Sequence, residues 1–226
     1  MTWQLQLSGK VDTSVRAQVF DIDLLTNSRT VVRTLRRKHR RVLCYFSAGT
    51  NESFRSDAQQ YPPETRGQPL ADYPDEQWLD IRQIDKLKPL IERRLDRCKA
   101  YGYGGADFDN VDGYANRTGF PLKARDQLRF DRYLARAAHA RGLAAGLKND
   151  LGQVPALARS FDFAVNEQCF QYHECGVLHR WFIQRGKPVF HVEYELRPSQ
   201  FCERATRLGF SSLYKRLDLG AYRVAC

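Results

Sequence analysis

Eight short apolar runs recur along this chain, and most of them stop on a carboxylate, an amide or an ammonium. They are Trp3–Gln6, Gln18–Asp23, Arg41–Ser47, Ala106–Asn110, Ala144–Asn149, Phe161–Glu167, Val189–Tyr194 and Ser211–Lys215. Buried strands that repeatedly end in a polar residue imply that their C-termini converge on a shared polar site. A (β/α)8 barrel of the TIM type assembles its active site on one rim in this way. The pattern therefore predicts an α/β fold, a (β/α)8 TIM-type barrel spanning 1–226 as a single domain. It places the chemistry at Asp21, Asp23, Asp107, Asp109, Lys148, Asn149, Asn166, Glu167, Glu193 and Lys215.

Between the runs lie helical patterns at Ser28–Lys38, Asp85–Ala100, Ala124–Arg141, Cys175–Gln184 and Ser199–Leu208. In the second, Leu87, Leu90, Ile91, Leu95 and Cys98 form one apolar stripe. Strand and helix alternate, so the strands are expected to be parallel with helical crossovers. The link Leu7–Arg16 is too short for a good helix. Gly49–Arg82, after the third strand, reads as a long irregular loop punctuated by Tyr61-Pro62-Pro63 and Tyr73-Pro74. Long loops in compact domains usually carry function. With Phe54, Tyr61, Tyr73 and Trp78, this one is expected to wall a cleft on the carboxylate rim.

The formal net charge is +10. Its densest run, Arg33 to Arg41, is interleaved with Val31, Val32 and Leu35 at helical spacing. It reads as the solvated face and C-terminal end of a helix, where cations suit the dipole, rather than as a nucleic-acid site. No stretch of 18 apolar residues predicts a membrane span. The six cysteines show no Cys-x2-Cys pair, so no zinc site is expected. Cys169 and Cys175 bracket a short loop they could staple, whereas Cys44 reads as a buried thiol. The cysteine count leans toward an oxidising compartment, secreted or periplasmic, although Met1-Thr2-Trp3-Gln4 does not open a signal peptide.

Asp107-Phe108-Asp109-Asn110-Val111-Asp112 is the strongest local signal. Alternation puts Asp107 and Asp109 on one face of a strand. Calcium-loop spacing would require Gly at position 112 and Glu at position 118, where Asp and Thr stand. Asp112 is read as capping the turn that follows. Glu167 closes another strand, and a carboxylate buried there without a partner would be costly. Lys148 and Lys215 could neutralise an acidic rim or could be plain surface cations. His191 reads as a packed strand residue. Paired carboxyls on separate strand ends are what glycoside hydrolysis needs, one to protonate the leaving oxygen and one to attack or to activate water. No Gly-x-Ser-x-Gly elbow offers a rival.

Nine segments, in order along nearly the whole chain, resemble glycoside hydrolase family 114. They are Trp3-Gln4-Leu5-Gln6, Phe20-Asp21-Ile22-Asp23, Cys44 to Gly49, Glu52-Ser53-Phe54-Arg55, Trp78 to Arg82, Asp109 to Tyr114, Leu147-Lys148-Asn149, Asn166-Glu167-Gln168-Cys169 and Val192-Glu193-Tyr194. The resemblance implies a barrel that cleaves internal α-1,4-galactosaminyl bonds, with no metal and no cofactor. It implies Asp109 as nucleophile or stabiliser and Glu167 as general acid/base. Phe54 stands where the family more often has Trp. The expected partner is a cationic galactosamine polymer, bound by a monomer. Substrate contacts are expected from Asp21, Asp23, Tyr45, Glu52, Asp80, Asp107, Asp112, Tyr114, Lys148, Asn149, Asn166, Tyr172, Glu193 and Tyr194. An acidic cleft inside a basic shell would reconcile such a polymer with the net charge. The sequons at Asn51 and Asn116 fall in loops on the same rim and are expected to go unused.

Overall fold

The computed structural model describes residues 1–226. Eight parallel strands follow one another in chain order around a curled sheet: β1 (Trp3–Gln6), β2 (Val19–Asp23), β3 (Arg41–Ser47), β7 (Gly105–Asp109), β8 (Ala144–Lys148), β9 (Phe163–Glu167), β10 (Val189–Glu193) and β11 (Ser211–Tyr214). All eight apolar runs are strands, with no end shifted by more than two residues. Six helices connect or flank them: α1 (Arg29–Arg37), α2 (Ile84–Tyr101), α3 (Ala124–His139), α4 (Val154–Leu157), α5 (Cys175–Trp181) and α6 (Pro198–Arg207). Helix α4, a single turn, is absent from the sequence reading because four residues carry no period.

The ladder is not continuous between β11 and β1. There the C-terminal segment fills the seam. A short strand β12 (Val224–Ala225) pairs antiparallel with β11, and Leu7 N donates to Leu219 O at 2.9 Å. On the other flank of that segment, the Gln4 side chain donates to Ala221 O at 2.9 Å. The Lys215 ammonium, fully buried, donates to Gly220 O at 2.6 Å and holds this turn. Lys215 is thus neither a rim cation nor a surface one. Burial pulls its pKa down to about 8.

The segment read as an irregular loop is built. It forms a second, three-stranded antiparallel sheet from β4 (Thr50–Glu52), β6 (Glu76–Leu79) and β5 (Arg66–Pro69), in that order. Strands of three or four residues are too short to show alternation, so composition alone suggested a loop. Arg94 of α2, only 2% exposed, pins the start of this excursion. It pairs with Asp57 at 2.8 Å and donates to Ser47 O at 2.9 Å. Asn51 on β4 is 1% exposed, so its sequon is closed to modification in the folded chain.

Two apolar layers follow from strand alternation. Trp3, Leu5, Val19, Leu43, Phe163, Val165, Phe190, Val192 and Leu213 fill the barrel interior. Their neighbours Phe20, Ile22, Cys44, Phe46, Ala106, Phe108, Ala145 and Leu147 point outward against the helices. Gly146 is required on the inside, since a Cβ there would sit 2.3 Å from the Phe163 ring. No helix is long and apolar enough to cross a membrane.

All six cysteines are paired, as Cys44–Cys98, Cys169–Cys175 and Cys202–Cys226. Cys44 is therefore not a free thiol. It points outward from β3, the parity that faces α2, and Cys98 closes that helix's apolar stripe. The bridge spans 54 residues, a separation for which loss of unfolded-chain entropy gives about 4 kcal/mol. Replacing both Cys44 and Cys98 by Ala is expected to lower the melting temperature by on the order of 10 °C, measured by calorimetry with and without reductant. Reductant should then have a smaller effect on the variant than on the parent.

Candidate active site

Alternation decides which side chains enter the barrel mouth. Asp21 and Asp23 on β2, Tyr45 on β3, Asp107 and Asp109 on β7, Lys148 on β8 and Glu167 on β9 share the parity of the interior residues beneath them. Asn166 and Glu193 have the opposite parity and face away. Tyr194, one residue past β10, regains the inward parity.

The Lys148 ammonium lies between the two principal acids, 3.2 Å from Asp109 Oδ1 and 3.3 Å from Glu167 Oε2. Lys148 is 2% exposed. Burial disfavours its charge, but Asp109, Glu167 and Asp107 together hold its pKa well above the usual lysine value. Asp109 also accepts the Tyr45 hydroxyl at 2.6 Å and the Asn110 backbone N–H at 2.9 Å. Burial pushes its carboxyl up; the ammonium and these donors outweigh that and leave it below the ordinary range. Asp109 is thus an ionised carboxylate. Glu167 accepts the Tyr194 hydroxyl on one oxygen and the Asn149 amide on the other, the latter at 3.2 Å. Asn149 Oδ1 in turn accepts Glu167 N at 2.9 Å and the Asn166 amide at 3.2 Å. Asn166 therefore acts on the backbone layer behind Glu167.

The residues just beyond these strand ends are left-handed: Asn110 at φ 59°, Asn149 at 51°, Asp150 at 46° and Gln168 at 62°. Asn and Asp tolerate that region better than other non-glycine residues, but each such residue still costs of order 1 kcal/mol or more. The turns re-aim the chain immediately after each catalytic-face side chain. Gly49 answers the turn at Asn110, since a Cβ on it would lie 1.7 Å from Asn110 O.

Below this layer Asp21 and Asp107 are both 0% exposed. Burial and the neighbouring Asp107 push Asp21 well above the carboxylate range, so it keeps its proton and donates it to Asp107. Burial raises Asp107 to about 7 although Lys148 pulls the other way. Above about pH 7 the two carboxyls share the one proton that Asp21 keeps.

Comparison with known proteins matches the geometry. The model of glycoside-hydrolase family GH114 matches residues 1–226. The chain belongs to glycoside hydrolase family 114. The structure of Aspergillus fumigatus Ega3, solved in complex with galactosamine, shares 38% identity with this family 114 chain at a TM-score of 0.94, over 100% of this chain and 94% of that one. The glycoside hydrolase domain of PelA from Pseudomonas aeruginosa superposes at TM-score 0.80 with 14% identity, covering 99% of this chain and 98% of that one. Histamine dehydrogenase from a Rhizobium species reaches 0.62 at 12% identity, over 93% of this chain and 43% of that one. The last two likenesses show the fold alone, and a barrel hosts unrelated chemistries. No match was found among curated protein sequences.

In this family 114 chain the acids open into a cleft of about 580 Å³. Of the predicted residues, Asp23, Tyr45, Asp109, Asp112, Lys148, Asn149 and Glu167 line it. Asp112 makes no capping bond to the following turn; its carboxyl stands on the cleft, raised by burial and by Asp109. Asp21, Asp107, Asn166 and Tyr194 support the floor. Glu52, 3% exposed, is paired with Arg55 at 2.7 Å, and Arg55 reaches Asp23 at 2.5 Å. Asp80 is turned onto Arg82 and Gln83, away from the cleft. Glu193 is buried behind β9, where it accepts Phe170 N and the neutral His191 ring. Burial lowers the His191 pKa. Tyr114 leans on Asp150, and Tyr172 is exposed outside the cleft.

Several cleft residues went unread in the sequence. Asp72, Asp75 and Glu76 come from the excursion, and Asp218 from the C-terminal segment. Their signal was present only as acidity inside a segment whose fold was not legible. Glu76 is raised to about 7 by burial and by Glu52. Eight carboxylates (Asp23, Asp72, Asp75, Glu76, Asp109, Asp112, Glu167, Asp218) thus line the cleft against two cations, Arg55 and Lys148. The expected acidic cleft within a basic chain is present, half of it built from anticipated acids (Asp23, Asp109, Asp112, Glu167) and half from others. Among groups that could hold a metal, Cys169, Cys175 and His191 lie together, but the two sulfurs are bonded to each other.

Folded Asp107 holds a proton between about pH 4 and pH 7 that the unfolded chain has released. Its contribution to stability therefore falls as pH rises through that window and is flat above it. Asp107→Asn removes this titration. The variant is expected to melt at least ~4 °C above the parent at pH 8 and to gain nothing at pH 4, as read by scanning calorimetry.

Proposed function

We propose that this protein is an endo-acting glycosidase that cleaves α-1,4 linkages within cationic, galactosamine-containing polymers. The observation that carries the reading is the joint hold of Lys148 on Asp109 and Glu167 at the floor of an eight-carboxylate cleft. Two oxygens 3.2 and 3.3 Å from one nitrogen lie no more than 6.5 Å apart. Inverting glycosidases need about 6.5–9.5 Å between carboxyls to admit water, whereas retaining ones use about 5–5.5 Å. The geometry favours retention.

In that scheme Asp109, already ionised, attacks the anomeric carbon while Glu167 gives its proton to the leaving oxygen. The aglycone half leaves and a glycosyl ester on Asp109 remains. Glu167 then takes a proton from water, which attacks the same carbon and releases the Asp109 carboxylate. Lys148 steadies the charge on both acids as it moves. Protonated amino groups along the polymer meet the acidic walls, and Phe54 and Tyr73, both exposed beside the cleft, offer stacking faces for sugar rings. Three disulfides support an oxidising, secreted or periplasmic setting.

Partially acetylated polygalactosamine digested by the protein should give short oligomers by mass spectrometry. Asp109→Asn and Glu167→Gln should each cut turnover by roughly three orders of magnitude or more. Proton NMR of the first product should show the α anomer before mutarotation; the β anomer would require inversion. Fully N-acetylated polymer should be a poorer substrate than the de-N-acetylated one. The gap should narrow with rising salt, because screening weakens the acidic walls.

A further inference from the structure

A second buried carboxyl pair lies behind the site and takes no part in the scheme above. Asp131 on α3 is 0% exposed, and Asp150, directly after Asn149, is 4% exposed. Their carboxyls stand within hydrogen-bonding reach of each other, and Oδ2 of each finds no N–H or O–H donor. The other Asp131 oxygen accepts the Gln127 amide at 2.7 Å. The titratable groups facing Asp150 are Asp131 from α3 and Asp112 and Tyr114 from the loop after β7. Two facing carboxyls with no cation between them can stay together only by sharing a proton.

Asn149 and Asp150 are consecutive left-handed residues. Such a turn persists only where its surroundings over-determine it. On one side Asn149 grips both the backbone and the carboxylate of Glu167. On the other, Asp150 is tied to α3 by that proton. We propose that Asp131 and Asp150 are positioning residues: the proton they share fixes the 149–150 turn, and through Asn149 it sets the orientation of Glu167. Neither touches substrate. The inference rests on the reading of Glu167 as an acid/base in hydrolysis. Burial, which pushes Asp131 well above the carboxylate range and Asp150 up to about 8, keeps the proton in place at neutral pH.

Three variants of the full chain test it: Asp131→Leu and Asp131→Ala, which remove the hydrogen bond, and Asp131→Asn, which keeps a donor and removes the titration. kcat and KM are measured on de-N-acetylated polygalactosamine at pH 6, and melting temperature at pH 5 and pH 8. The leucine or alanine variant should lose at least tenfold in kcat with KM within twofold of the parent. It should nevertheless melt no lower than the parent at pH 8, since a desolvated acid has gone. The asparagine variant should recover most of kcat. It should also lose less melting temperature than the parent between pH 5 and pH 8, because the folded pair holds a proton there that the unfolded chain has released. Parental kcat in a folded leucine or alanine variant overturns the proposal. So does an asparagine variant as slow as either of them. If the parent cleaves no polymer at any pH, the reading of Glu167 fails. The melting comparison, which needs no substrate, then decides the shared proton: an unchanged pH dependence in Asp131→Asn overturns it.

Discussion

One ammonium makes the barrel mouth possible. Four inward carboxyls, Asp21, Asp107, Asp109 and Glu167, crowd the upper interior of the sheet, and Lys148 is the cation among them. Without a positive charge in a site this dry, neighbouring carboxyls cannot all ionise. With it, Asp109 is ionised and Glu167 is held beside it on the same nitrogen, while the lower pair keeps a proton between its two carboxyls. The Lys148 stem rises from β8 beside Gly146, whose missing side chain leaves room for Phe163 beneath. Packing below and charge above are thus set by neighbouring inward positions of a single strand.

The rest of the molecule is arranged around keeping that charge local. The chain as a whole is strongly basic, yet the cleft is walled by acids from the second sheet and the C-terminal segment. Two buried arginines hold the second sheet against the barrel: Arg94 through Asp57 and Ser47 O, and Arg55 through Glu52 and Asp23. A buried guanidinium with two anchored partners fixes a direction as well as a distance, because its donors form a rigid fork. The C-terminal segment closes the β11–β1 seam in the same step that brings Asp218 to the cleft. Wall and barrel closure are one device. A polycation would meet repulsion over most of the surface and attraction at one mouth, which orients its approach.

Legibility in the sequence tracked the length of the repeating signal. Strands of four to seven residues and helices α2 and α3 carried enough periodicity to be found, and the parity of Asp107 and Asp109 followed from counting. Parity also explains where reading failed. Asn166 and Glu193 lie one residue from inward positions, and a strand run with both faces buried does not announce which face is the interior. Asp80 entered the candidate set through the family resemblance at Trp78 to Arg82, but Arg82, two residues on, captures it. The excursion was missed as a sheet because strands of three or four residues have no period to read. Cys44 was misread because its bridge to Cys98 depends on α2 packing against the outer face of β3.

The sequence by itself determined the order of eight buried strands, the residues at their polar ends, and the family whose motifs those ends carry. These are local properties, written in runs of a few residues and in their spacing. Only the tertiary structure decided which ends meet. It put Asp109 and Glu167 on one lysine, sent Glu193 and Asp80 elsewhere, brought in acids from the excursion and the C-terminus, and paired six cysteines in one of fifteen ways. The reason is physical: distances across a barrel mouth are set by how strands tilt, how turns reverse and which side chains fill the interior, and no short stretch of chain contains that information.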